Sequence, residues 1–502
     1  MRIQILDFVH QLGWRALPLA GILAIVVYVV YLRYFHPLSK YPGPFLASVT
    51  NFWKFYQYST LRFPNTLIKL HEKYGPIVRI GPNDLDFNYP EAIAPIYKTG
   101  KKMPKGVFYN AFTSFVPNIF GTTDEHHHAL RRRQTAHAFS VNALKSMEPI
   151  FNQNISNLIS KFGACADSAA IVDLKIVFTY YAYDLTGKLA FNEDFNTQVT
   201  DDENLVPPFS DHFLLGNMYG SVANLLPWIR DWTAWHPFVK RIIQSRRQMG
   251  LQAARCVNKA IAHHKKDESV RTLLTSLIDA KDPETGATLT ADEINSEAFG
   301  FLVAGSHTTG SSLTVLFYYL THNPHVLAKM VKEIDERISD DQEVYDFAGL
   351  ESQLPYTLAV IRESFRMSPV AALLLPRVVI DPQGMLINGQ LIPQGTNCCM
   401  VSTVIHHNHK VWGPSHDVFD PDRFYPESPI YDPALAGYLM HFGQGYRQCI
   451  GRNIGLISIW KIVITLFKKF HFEAVDPNEP LILDHTGAAD KVGPLLVRVT
   501  RR

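Results

Sequence analysis

Phe442-Gly443-Gln444-Gly445-Tyr446-Arg447-Gln448-Cys449-Ile450-Gly451 gathers one cysteine, three glycines and one arginine into ten residues. An apolar run from Ile454 to Phe470 follows it and predicts a helix. Gly443 and Gly445 permit a tight loop with backbone angles that other residues avoid. Cys449 then falls at the start of the helix, where free N–H groups and the helix dipole favour an anion. That order suits a thiolate held as a metal ligand. Gly451 lets the backbone lie against a flat, bulky group, and Arg447 offers a planar fork for a carboxylate. A buried structural thiol is the ordinary fate of an isolated cysteine. Here the spacing of its neighbours points to chemistry instead.

The 502 residues include 48 Lys plus Arg against 46 Asp plus Glu, a net charge of +2 that gives no support to a nucleic-acid partner. Five cysteines, odd in number and irregularly spaced, argue against a disulfide framework and for a reducing compartment. Ala16–Leu32 is uncharged and almost wholly apolar, and with its flanks it just reaches across a hydrocarbon layer of ~30 Å. A cleaved signal peptide is the alternative. No small-x-small cleavage site follows, however; Arg33-Tyr34-Phe35-His36 does. Pro37 and Tyr41-Pro42-Gly43-Pro44 then make a stiff hinge. The organisation expected is a membrane anchor over 1–36 and one domain over 37–502, with the domain on the cytosolic side because its thiols stay reduced.

Further along, Thr290-Ala-Asp-Glu293 is a capping box opening an apolar helix that runs to Asn323-Pro324, roughly 45 Å long. Inside it, Ala304-Gly305-Ser306-His307-Thr308-Thr309 places a glycine and two threonines where a helix is weakened by them. Either a packing notch or a functional groove explains their presence. Glu363 and Arg366, at i and i+3, share one helix face. His126-His127-His128 precedes Arg131-Arg132-Arg133; three consecutive histidines on a helix point three ways and make a poor chelate. His406, His407 and His409 lack the partners of a four-ligand metal set and read as structural. Phe108, Tyr109, Phe112 and Phe120 are dense aromatics, read as core or as pocket lining. Ile387-Asn-Gly-Gln390 signals a hairpin, and Val370–Leu375 an apolar strand. Asn154-Ile-Ser156 is a glycosylation sequon, silent on the cytosolic side.

Phe442-x-x-Gly-x-Arg-x-Cys-x-Gly451 matches in full the haem-ligand signature of the cytochrome P450 family, and the chain resembles that family from about residue 37 to its end. The resemblance implies a mainly α fold with small β-sheets, carrying an N-terminal transmembrane helix. It implies haem b (iron protoporphyrin IX) with Cys449 as axial thiolate, flanked by Phe442, Arg447 and Gly451. His128 and Arg132, at i and i+4, would reach the haem propionates, as would Arg377; the family usually has tryptophan where His128 stands. Arg131 and Arg133 would face outward. Ala304 and Gly305 would make room beside bound dioxygen, with Thr308 donating a hydrogen bond and positioning water. His307 stands where the family usually has an acid, and becomes a candidate proton relay. Glu363, Arg366 and Arg423 would form a buried triad bracing the cysteine loop. The region Pro207–Arg247, with Trp228, Trp232 and Trp235, would supply a mobile lid partly on the membrane.

The activity so implied is monooxygenation of a hydrophobic small molecule, in the manner of membrane-bound fungal enzymes of secondary metabolism. Electrons would come from NADPH through a separate NADPH–cytochrome P450 reductase, because no Gly-x-Gly-x-x-Gly fingerprint is present. The location implied is the endoplasmic-reticulum membrane, crossed once. A haem-thiolate isomerase or dehydratase needing no reductase, and a non-catalytic haem-binding protein, remain the other readings.

Overall fold

The computed structural model describes residues 18–502 apart from 99, 101–102, 268–270, 283 and 339–341, and only the backbone at 229–232. The elements that frame the site follow in chain order. They are helix α1 (Pro18–Phe35), strands β1 (Ile77–Gly81) and β2 (Asp84–Phe87), and helices α2 (Glu125–Ala136), α3 (Leu174–Phe191), α4 (Phe209–Ser221) and α5 (Pro237–Lys266). Then come α6 (Ala291–His322), α7 (Pro355–Met367), β3 (Arg377–Val378), β4 (Asn397–Cys399) and α8 (Arg452–Lys469). The architecture is mainly helical with small sheets, as expected.

α6 forms where the capping box predicts. Thr290 Oγ1 accepts from Glu293 N at 3.3 Å, and Glu293 Oε2 accepts from Thr290 N at 2.8 Å. Pro324 stops it. The helix is apolar on most sides and is therefore buried, with Leu302, Leu313, Phe317 and Leu320 in the core. α3 lies along it at very short range. A Cβ on Gly310 would sit 2.8 Å from Phe178 O, and one on Gly305 2.7 Å from Thr186 Oγ1. Two glycines one and a half turns apart thus let the α3 and α6 backbones touch. Gly305 is accounted for by this notch, so the open space in the groove comes from Ala304 rather than from Gly305.

One sheet runs β1-β2-β4-β3, with β1 and β2 antiparallel (Val78 opposite Asp86), β2 and β4 parallel, and β3 antiparallel to β4. The predicted hairpin pairs Met385–Ile387 with Gln390–Ile392 around Asn388 and Gly389, both at positive φ as a two-residue turn demands. Val370–Leu375 is not the strand expected. It has a single bridge, Ala371 to Ala488, and the left-handed backbone of Leu375 breaks its run.

α1 is long and apolar enough to cross a membrane, and Leu19, Ile22, Leu23 and Val26 are exposed along it. Ala16 and Leu17, the start of the span expected from sequence, lie outside the described residues. Its far end is tied to the domain by the buried Arg79, whose Nη1 donates to Leu32 O at 2.8 Å while its backbone N donates to Pro42 O at 2.8 Å. Pro42 of the hinge is therefore docked on β1. Asn154 sits inside the helix Glu148–Ser168, its amide donating to Ile150 O and accepting from Gln198 Nε2, so the sequon is closed by structure.

Pro207–Arg247 divides instead of forming one lid. Phe209 and Met218 on α4 belong to the core, whereas Trp228 and Trp235 are 84% and 86% exposed. The side chain of Trp232 lies outside what is described.

The α3–α6 contact gives a direct test. Gly310→Ala is expected to destabilise the fold by about 1–3 kcal/mol through overpacking against Phe178, read as a lower Tm of the detergent-solubilised protein. An unchanged Tm would mean that the helices do not approach this closely.

Candidate active site

The cysteine loop is shaped by its glycines. Gly445 has φ +71°, and a Cβ there would collide with Tyr97 O. Cys449 N donates to Phe442 O at 2.8 Å, closing the loop, and Gly443 N donates to Met440 O at 2.8 Å. The thiol borders open space although protein encloses it. Burial pushes it above the usual thiol range, opposed by N–H groups of Gly451 and Arg452 and by the charges of Arg132 and Arg452. Those N–H groups open α8, so the sulfur does sit at a helix start. Phe442 packs edge-on against Phe365 of α7. Cys165, Cys256, Cys398 and Cys399 are unpaired and buried.

Basic side chains gather beside the loop. Arg132 Nη1 donates to Gln448 O at 2.7 Å, and Arg377 Nη1 donates to Tyr109 Oη at 2.8 Å. Arg447 spends its fork on Glu125, Nη2 to Oε1 at 2.8 Å and Nε to Oε2 at 3.3 Å, and among the described residues its buried Nη1 is left without a partner. Lys105 is buried over the rings of Tyr109 and Phe120, Nζ donating to Phe120 O at 2.6 Å. His128 lies buried among them, with Nδ1 unpartnered among the described residues. Burial, then Arg447, Lys105, Arg132 and Arg377, push it down to about 3. Three guanidinium groups, of Arg132, Arg377 and Arg447, thus surround His128 together with Lys105, whose ammonium is pushed well below the usual lysine range by burial, then by Arg377 and Arg447, and Glu125 is the carboxylate that pairs with Arg447. Such an excess of buried positive charge, with two orphaned nitrogens, fits a flat group that carries carboxylates of its own.

Glu125 and Lys105 were not singled out from sequence. Glu125 directly precedes the three histidines and follows the N-cap Asp124, so an acidic first turn was visible, but its partner is 322 residues away. Arg131 corrects the outward placement expected of it. It is buried against α6, with Nη2 2.6 Å from Glu293 Oε1 and Nε 3.5 Å from Glu297 Oε1. Glu293 and Glu297, one turn apart, present a carboxylate pair that draws this arginine inward. Arg133 is exposed, as expected.

On α6, Ala304 is exposed in the middle of an otherwise buried helix and so faces the same kind of internal space as Cys449. Thr308 Oγ1 donates to Ala304 O at 2.8 Å, which leaves its lone pairs toward the groove. His307 turns toward α4: Nε2 is 3.2 Å from Ser210 Oγ, the ring lies against Phe213, and Nδ1 has no partner among the described residues. Burial pushes it below the usual histidine range, with Asp490 pulling up and Lys175 pulling down.

The triad is assembled. Glu363 Oε1 accepts from Arg366 Nη2 at 2.8 Å, Arg423 Nε at 3.2 Å and Asp420 N at 2.9 Å, and its Oε2 accepts from Arg366 Nε at 2.8 Å. Arg366 continues to His406 O and His416 O. His406 Nε2 accepts from Met440 N at 2.8 Å, and Met440 O holds Gly443. The brace therefore reaches the cysteine loop through His406, which is structural. His407 is likewise occupied by Met367 O and Asp417.

The family model described as Cytochrome P450 matches residues 42–496. Among curated proteins, the chain is 30% identical to "Cytochrome P450 monooxygenase gsfF" of Penicillium aethiopicum, over 96% of this chain and 98% of that one. It is 27% identical to a "Pisatin demethylase" of Fusarium vanettenii, over 92% and 91%. With "Benzoate 4-monooxygenase bphA" of Aspergillus niger it shares 30%, over 90% and 91%.

Two outcomes follow from the charges. Glu363→Ala strands two buried guanidinium groups at a cost of about 3–5 kcal/mol and is expected to yield protein without haem absorbance; normal occupancy would contradict the brace. Burial also raises Glu297 to about 7 even though Arg131 opposes the shift. The folded state then binds the extra proton between the ordinary carboxyl range and about pH 7, so this group's contribution to stability falls as pH rises through that window. Glu297→Gln is expected to flatten that part of the pH profile of Tm, and an unaltered slope would count against it.

Proposed function

The chain belongs to the cytochrome P450 family, and from that premise we propose that Cys449 is its axial thiolate and that it oxidises its substrate with NADPH-derived electrons delivered by a separate reductase. It is a haem-dependent monooxygenase of secondary metabolism, with a redox partner and a hydrophobic substrate. When bound, the haem supplies reductive activation of dioxygen, helped by electron donation from its sulfur ligand. The observation that carries the assignment of Cys449 is its exposure to enclosed space at the start of α8, beside an unbalanced set of cations.

The chain's own groups do the rest. Lys105, Arg377, Arg447 and His128 would hold the cofactor's carboxylates, and Arg132 steadies Gln448 ahead of the cysteine. Thr308, its hydrogen engaged by Ala304 O, accepts a hydrogen bond from water in the groove and so positions that water for proton delivery. His307, neutral at pH 7, takes protons from the solvent side, where Lys175 and Asp490 pair at 3.4 Å. Aromatic and aliphatic side chains, Phe112, Phe213 and Leu373 among them, keep water from the substrate. α1 anchors the enzyme once in the endoplasmic-reticulum membrane with the domain in the cytosol; the length of α1 and five unpaired thiols support this.

Product is expected only when NADPH, reductase and dioxygen are all present. Turnover without the reductase would favour an isomerase or dehydratase. His307→Ala and Thr308→Ala are each expected to lower product formed per NADPH on the order of tenfold. Unchanged coupling in both would remove them from proton delivery.

A further inference from the structure

Above the groove, α5 and α4 face each other through two Arg–acceptor pairs of opposite character. The outer one is an ordinary ion pair: Arg241 grips Asp211 with both nitrogens, at 2.9 and 3.1 Å. The inner one has no acid. Arg246 Nε donates to His212 Nδ1 at 3.0 Å and Nη2 to Ala111 O at 2.7 Å. Among the described residues no carboxylate lies within ion-pair distance of Arg246. A guanidinium carries five N–H donors, so three remain, including both on Nη1.

This cation is enclosed by protein yet keeps part of its surface against open space. Burial lowers it to about 10, which still leaves it charged at neutral pH. His212 is buried too and, accepting at Nδ1, carries its hydrogen on Nε2, which has no hydrogen-bond partner among the described residues. Burial, then Arg246, hold that ring well below the usual histidine range, so it contributes no second charge.

The position is the roof of the reaction space. Ala111 lies in the turn Val107–Phe112, whose Phe112 meets the His212 ring edge-on, and His212 in turn meets Phe299 of α6. Phe213, next in the chain, lies against His307. Phe299 is five residues before Ala304, about 7.5 Å along the helix axis. A merely structural brace for the loop needs the two bonds already made. It does not need a charged group, whose uncompensated burial is costly.

We propose that Arg246, with His212 Nε2–H as a neutral second donor, receives the carboxylate of an otherwise apolar substrate. The inference rests on the monooxygenase reading above and narrows its substrate class to hydrophobic carboxylic acids. The acid is held on α5 and the skeleton runs down past Phe112 and Phe213 to the groove. The carbon oxidised therefore lies more than one helical turn, beyond about 5 Å, from the carboxyl group.

The test uses the haem-loaded, detergent-solubilised full chain and reads equilibrium binding by calorimetry. The probes are benzoic, 2-naphthoic and dodecanoic acids, each beside its methyl ester. For at least one skeleton the acid is expected to bind about tenfold or more tighter than the ester. Arg246→Gln is expected to erase that preference and leave the ester's Kd within about twofold. No acid preference for any skeleton, or a preference that survives in Arg246→Gln, overturns the proposal. Should Arg246→Gln not fold, Arg246→Lys carries the test, because lysine keeps the charge but not the fork. Loss of acid affinity alone supports the site, and equal loss for acid and ester assigns the guanidinium a bracing role only and overturns it. Binding is read without turnover, so a protein that binds haem and consumes NADPH but ignores the carboxylate sinks this inference and leaves the monooxygenase intact.

Discussion

A sulfur atom enclosed by protein and aimed into open space is the constraint from which the surrounding architecture follows. The loop that presents Cys449 has two glycines at positive φ, one of them pressed against Tyr97 O, and no extended pairing of its own. It must be held from outside. The holding runs from the Glu363–Arg366–Arg423 triad through the His406 imidazole to Met440 and Gly443. A buried ion triad is an expensive device, and replacing such groups by apolar ones often costs nothing in stability. What it supplies here is position: several backbone carbonyls fixed by two guanidinium groups, and through them the loop.

The same economy governs the other wall. α6 meets α3 at glycine notches, which sets where its groove falls, and Ala304 and Thr308 then face inward while His307 turns to α4. One helix thereby serves as packing spine and as reaction wall. Its N-terminal carboxylates, Glu293 and Glu297, draw Arg131 of α2 inward. That contact leaves His128 and Arg132 beside the cysteine loop.

What was legible in the sequence was local or carried by a fixed motif. The capping box, the Asn388-Gly389 hairpin, the long apolar helix and the cysteine loop each declare themselves within a dozen residues. What was not legible depended on which surfaces meet. Arg131 and Arg133 are alike in sequence, and only the approach of α6 buries one of them. Arg447 wanted a carboxylate, but nothing near it in the chain names Glu125 as that partner. In sequence Gly305 reads with Ala304 as part of one groove, whereas its missing Cβ accommodates the Thr186 side chain of α3. Arg246, bonded to His212 and Ala111 with no carboxylate beside it among the described residues, gives no signal in the sequence, since an arginine on an amphipathic helix ordinarily faces water.

The central claim is that iron is gripped through the sulfur of Cys449, and its spectrum tests this most directly. Purified from a haem-replete host, reduced and exposed to carbon monoxide, the protein is predicted to give the strongly red-shifted absorbance peculiar to a sulfur-ligated haem, and Cys449→Ala to lose it. A preparation without haem, or a spectrum that Cys449→Ala leaves unaltered, would contradict the account.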